Sequence, residues 1–335
     1  MASACLFAPR LWLMDHYRPG TFQWDRAHTY LLQVENPFRS DIEIVMRWRV
    51  LPALVAHLAR LPGNVPFVIP WLGVIAMTAY VARVLQRQCA DWRFVLGGTL
   101  LLATTSAVTV PIGWYGMNDA WVWLGLLVIA FARSPAALCA VCFLCPWVDE
   151  RFLIGVPLAW TGRCIFNNEP LVSQTALLLL TSLMPYAVLR LSITSYFGIR
   201  TESAHLAQLL PEWPISVRYG YLGWWMGMRA AWGPIAFLFL TVKRPYVLAA
   251  VFLLTAIVTI AITSDQSRSA AIVVPIVILG LLSIQRHYPD IAPRAAIALG
   301  ILGLMLPTAA IEHNKIDLYD NILVEIWRWY RGGGF

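Results

Sequence analysis

The run VLAAVFLLTAIVTIAI at 247–262 carries no charged side chain and no alternation of polarity. In hydrocarbon no water is present to satisfy backbone N–H and C=O groups, so only helices and closed barrels can cross. Strands of a barrel would alternate over about ten residues; this run does not, which leaves the helix. Comparable apolar segments recur at roughly 64–82, 94–112, 120–132, 135–147, 152–163, 171–189, 217–241, 245–263, 269–284 and 294–310. Charged residues make up 13% of the chain, against roughly a quarter in soluble domains. The expected fold is therefore all-α: a polytopic transmembrane bundle of nine or ten membrane segments. A full crossing takes about 20 helical residues. The three segments between 120 and 163 are too short to cross alone, and such helices are tolerated where they line a protein cavity.

Basic residues set the expected orientation. Arg83, Arg87 and Arg93 flank one turn, Arg133 the next, Lys243 and Arg244 another, and Arg286 and Arg294 the last. Placing all four turns on the cytoplasmic side follows the positive-inside tendency and fits alternate crossings. The opposite face then receives Asp25, Glu35, Asp41, Glu43, Asp119, Asp149, Glu150 and Asp265. Three regions result: an extracytoplasmic N-terminal segment at 1–63, a helical membrane domain at 64–310, and a polar tail at 311–335. Within the first, DIEIVMRWRVLPALVAHLARLPG (41–63) spaces apolar residues as an amphipathic helix lying in the membrane plane.

The net charge of +7 comes mostly from basic residues at the ends of apolar runs, where they report topology and lipid contact rather than nucleic acid. Among the six cysteines, Cys139, Cys142 and Cys145 recur every third residue along one run and read as small packing residues. Arg10 and Asp15 interrupt the first apolar stretch, so no cleavable leader is expected. Phosphate-cradling glycine loops, HExxH and DxD-like motifs are missing, and nothing calls for a cofactor or supports a metal.

Four patches resemble the bacterial multi-spanning proteins related to the GT-C glycosyltransferases. They are QWDRAHTYLLQVENPF (23–38), RWRVLPALVAHLARL (47–61), the pair NDAWVWLGLLVIAFARSP and VDERFLIGVPLA, and SDQSRSAAIVVPIVIL (264–279). The resemblance implies a transferase in the bacterial inner membrane. It would take a sugar from a polyprenyl-phosphate donor to a glycan, lipid or protein acceptor outside the cytoplasm, among membrane lipids. Such enzymes use an acid of the first outer loop as general base and basic residues to hold the donor phosphate. The family places a transmembrane helix before that loop, whereas about 20 interrupted residues precede Asp25; either the start of the chain is truncated or that helix is lost, and a partner membrane subunit is a candidate source of it.

Displacement at an anomeric carbon needs a base for the acceptor hydroxyl and cations for the departing phosphate. Asp25, next to Trp24 and close to His28 and Tyr30, is the first choice of base, with Asp119 and Glu150 as further catalytic candidates. Asp119 also suits a helix N-terminus, and Asp25 an ordinary cap. PWVDER (146–151) opens a short helix after Pro146. An arginine there opposes the helix dipole, so Arg151 either pairs with a buried acid or reaches an anion. Asp149 and Arg151 are taken as substrate-binding, as are Arg47, Arg49, Asp265 and Arg268. Asp265 and Arg268 share a helix face and can equally pair with each other. A flippase of a lipid-linked glycan and a scaffold of a polysaccharide assembly complex remain as alternatives.

Overall fold

A computed structural model describes residues 22–39, 41–42, 44–197, 213–243, 245–263, 265–312 and 315–319. The N-terminal part holds α1 (Phe22–Glu35), α2 (Ile44–Arg47) and α3 (Val50–Leu58). A 3-10 turn leads into α4 (Val68–Gln88), followed by α5 (Trp92–Ala103), α6 (Ser106–Gly113), α7 (Asp119–Phe131), α8 (Pro135–Leu144) and α9 (Arg151–Asn167). Then come α10 (Gln174–Phe197), α11 (Trp213–Met228), α12 (Trp232–Thr241), α13 (Pro245–Ile262), α14 (Gln266–His287) and α15 (Ala292–Met305).

Among the described residues the architecture is helical apart from one hairpin, and four helices are long and apolar enough to cross a membrane: 65–88, 174–193, 245–262 and 266–287. The bent pair α5–α6 makes a fifth if taken as one span; α7, α8 and α15 are shorter apolar helices. The hairpin pairs Thr308–Glu312 with Lys315–Tyr319 in antiparallel register, across the boundary expected between the membrane domain ending at 310 and the polar tail from 311. Its Ile311 amide donates to Ser267 Oγ at 3.0 Å, which ties it to the start of α14.

Local chemistry explains the breaks. Asp91 caps α5 by accepting the Arg93 amide at 2.8 Å, and Ser134 caps α8 ahead of Pro135. Between α5 and α6 the axis turns by 58°. There the Thr104 and Thr105 hydroxyls donate back to the carbonyls of Leu101 and Leu102, each at 2.7 Å, beside the Thr104 and Thr105 amides, which bond the same carbonyls at 3.1 and 3.0 Å. The amphipathic helix expected over 41–63 is split at Trp48–Arg49. Pro52 has no N–H to offer the Trp48 carbonyl, and its ring disfavours a continuous helix across that point. Ala53 and Ala56 of α3 are fully buried against Tyr30 and Val34 of α1, so this face packs on protein, while Val55 and Leu58 stay exposed.

α14 is the central helix, with 89% of its most apolar window inside the protein, whereas α10 and α13 sit outside at 11% and 22%. Leu177, Leu180 and Met184 on α10 and Leu253, Leu254 and Ile257 on α13 are exposed. Apolar faces of this length exposed on two helices need a non-aqueous solvent, which makes this an integral-membrane architecture. Close packing of α5 on α15 relies on Gly97, where an added Cβ would collide with the Ala296 backbone, and on Gly303 against Thr104.

Helices α4, α7 and α9 run one way and α8 runs back between them. Trp121 Nε1 donates to the Ile69 carbonyl at 3.0 Å, and the Cys145 thiol lies 3.7 Å from the Trp121 carbonyl, joining the starts of α4 and α7 to the end of α8. At the opposite end Arg163 Nη1 donates to the Ile129 carbonyl at 3.2 Å, joining the ends of α9 and α7. The turns holding Asp119, Asp149, Glu150 and Asp265 thus meet at one end, and Arg133, Lys243 and Arg286 lie at the other. Arg244 is outside the described residues.

Candidate functional site

The turn PWVDER is tight. Cys145–Trp147 forms a 3-10 turn, and the amides of Val148 and Asp149 both bond the Cys145 carbonyl. Asp149 then accepts the Arg151 backbone amide at 2.9 Å, capping the start of α9. The same carboxylate takes the Arg151 guanidinium in a two-pronged grip, Nε to Oδ1 at 2.9 Å and Nη2 to Oδ2 at 2.8 Å. Arg151 Nη2 also pairs with Asp119 Oδ1, Nη1 donates to Ser269 Oγ at 3.2 Å, and the guanidinium lies 5.5 Å from the Trp123 ring centroid.

Arg268 closes the cluster from α14. Its backbone amide donates to Asp265 Oδ1 at 3.0 Å, so Asp265 is an N-cap. The guanidinium approaches Asp119 Oδ2 at 3.1 Å through Nε, an ion contact whose angle falls short of a hydrogen bond. Asp149 is 3.7 Å away and the Asp265 carboxylate 3.9 Å, while Met117 Sδ is 3.1 Å from Nη1. Asp119, Asp149, Arg151 and Arg268 are all buried. Asp265 and Arg268 therefore do not form a closed pair: Arg268 is shared with carboxylates from the start of α7 and from the turn before α9.

A second, partly exposed shell sits above this core. Arg49 reaches Asp149 at 3.1 Å through Nη1 and Glu150 at 3.3 Å through Nε. Arg190, from α10, reaches the other oxygen of Glu150 at 3.4 Å and donates to the Tyr186 hydroxyl at 2.6 Å. Its guanidinium lies 4.7 Å from the Trp48 ring centroid, and Trp147 meets Tyr186 edge to face at 4.7 Å. Glu150 retains 28% of its side-chain exposure, against 3–4% for Asp119 and Asp149. In this cluster the carboxylates of Asp119, Asp149, Glu150 and Asp265 thus face the guanidiniums of Arg49, Arg151, Arg190 and Arg268.

Burial by itself would raise the Asp149 carboxyl. Arg151, Arg49 and Arg268 outweigh it and hold the group well below its ordinary value of 3.8. Burial likewise opposes the charge on Arg49, and Asp149 with Glu150 reverse that, raising it.

Of the residues singled out from sequence, Arg49, Asp119, Asp149, Glu150, Arg151, Asp265 and Arg268 come together here. Arg47 does not join them through any described contact; its Nε donates to the Ile42 carbonyl at 3.0 Å and closes the turn before α2. Asp25 stands in the first turn of α1, and its side chain lies outside the described residues. Sequence reasoning missed Arg190, Tyr186, Trp48, Trp123 and Ser269. One signal was present: TSLMPYAVLRL places an arginine four residues after a tyrosine inside an otherwise apolar helix, and a charge there needs a partner. Among the described residues no group of three or more His, Cys, Asp or Glu could hold a metal. No family model matches the chain, and no curated protein and no solved structure matches it either.

Proposed function

We propose that the chain is a GT-C-like membrane transferase in the bacterial inner membrane, acting on the extracytoplasmic side. In this reading α7, α8, α9, α15 and the run α11–α12 join the five spans α4, α5–α6, α10, α13 and α14 to make up the nine or ten membrane segments. The donor is a polyprenyl-phosphate-linked sugar, and the acceptor hydroxyl belongs to a glycan, lipid or protein. The observation that carries the reading is Glu150, partly exposed between Arg49 and Arg190 and beside Trp48, Trp147 and Tyr186. A donor phosphate competes with Glu150 for both guanidiniums, whose planar forks suit it. The released carboxylate takes the acceptor proton, the acceptor oxygen bonds to the anomeric carbon, and the carbon–oxygen bond to phosphate breaks. The leaving phosphate keeps its electron pair and stays with Arg49 and Arg190.

Asp119, Asp149, Arg151 and Arg268 act in this scheme as positioning residues, because Asp119 and Asp149 are each held by more than one arginine and have little access to substrate. Purified protein incubated with labelled polyprenyl-phosphate sugars and candidate acceptors tests the reading. Loss of transfer by roughly a hundredfold or more in Glu150→Gln, with folding intact, supports it; full activity in that variant overturns it. The charge balance of the buried cluster favours a second reading, a non-catalytic scaffold. Complete complementation of a deletion strain by Glu150→Gln combined with Arg190→Gln would select that one.

A further inference from the structure

One opening lies at the end of the bundle remote from the ionic cluster. It is a cavity of about 620 Å³ between the last turns of α9, α12 and α14 and the start of α13. Leu171, Leu238, Val242, Val247, Leu279 and Leu282 line it with hydrocarbon. Its hydroxyls are already engaged: Thr161 donates to the Pro157 carbonyl at 2.9 Å, and Thr241 lies 2.8 Å from Ser283 Oγ. The body of the cavity therefore offers an apolar wall rather than free polar groups.

The rim has the opposite character. Lys243, Arg286 and His287 border it, and all three are exposed. The acid on the lining, Glu169, is committed to Arg163 at 3.3 Å and to the Asn167 amide at 2.8 Å. No ion pair with a described residue engages Lys243 or Arg286. An uncompensated cationic rim over an apolar slot of this volume matches the dimensions of small-ligand sites and the two-part chemistry of an anionic amphiphile.

We infer that this cavity binds a phosphate-bearing amphiphile, its chain against Leu279, Leu282 and Val247 and its head group at Lys243 and Arg286. The site is separate from the Glu150 cluster and does not depend on the transfer reaction.

Protein purified in a neutral maltoside detergent and titrated with dodecyl phosphate, dodecanol and inorganic phosphate, followed by native mass spectrometry, tests the assignment. Dodecyl phosphate is expected to bind at least about tenfold more tightly than either of the other two. Lys243→Gln with Arg286→Gln removes that preference for the charged head, and Val247→Trp, which fills the slot, weakens both amphiphiles. Equal binding of dodecanol and dodecyl phosphate overturns the proposal, as does inorganic phosphate binding as tightly as its alkyl ester. Since Lys243 and Arg286 are exposed, the double variant is expected to unfold at the temperature of the parent. Should it not fold, unchanged dodecyl phosphate binding by Val247→Trp overturns the assignment on its own.

Discussion

Arg151 at the start of α9 and Asp119 at the start of α7 form a buried ion pair across 32 positions of sequence. Neither is satisfied by the other alone: Arg151 is also gripped by Asp149, and Asp119 also faces Arg268. Bringing such groups out of water costs several kcal/mol per ion, so the arrangement holds only while every member keeps its partners.

Asp119→Asn is accordingly expected to destabilise the protein by about 3–5 kcal/mol, since it strips charge from between two buried guanidiniums. Asp265→Ala, which removes a cap and a distant ion contact, should cost only about 1 kcal/mol. Chemical unfolding in detergent measures both; equal effects would contradict the central place given to Asp119.

Acid sensitivity follows from Asp149. Its carboxyl is held below its unfolded value of 3.8, so its contribution is fully present above that value. It is lost as pH falls through the still lower folded value. The stability gap between the parent and Asp149→Asn should therefore stay constant from pH 7 to pH 5 and narrow below about pH 4. A gap that narrows between pH 7 and pH 6 would rule the assignment out.

Arg190 is expected to serve both Glu150 and the substrate. Arg190→Lys keeps the charge but loses the planar fork and its stacking on Trp48, so it should raise KM for the donor with a smaller effect on kcat. Steady-state kinetics on purified enzyme separate the two. An unchanged KM would place Arg190 outside donor recognition.

Helix contact between α5 and α15 gives a prediction independent of charge. Gly97→Ala puts a methyl into the Ala296 backbone, which cannot move aside as a flexible side chain would. A loss of about 1–3 kcal/mol is expected, read from the unfolding midpoint.

Apolar segments are legible in the sequence because hydrophobic length is a local property. The helices Val68–Gln88, Pro245–Ile262 and the central Gln266–His287 all fall on apolar stretches. The break at Trp48–Arg49 and the hairpin after Leu306 are not legible in the same way. The first depends on the single N–H that Pro52 lacks, and the second on pairing between the end of the apolar run at 294–310 and the polar residues that follow it.

Hydropathy in the sequence by itself determined that the chain is helical and suited to hydrocarbon, because each run must bond its own backbone there. It also marked PWVDER and Asp265–Arg268 as charges needing an explanation. Only the tertiary structure decided what answers each charge. Guanidinium and carboxylate from α7, α9, α10, α14 and the turn before α3 select one another by distance and direction in three dimensions, and nothing in their sequence spacing encodes those pairings.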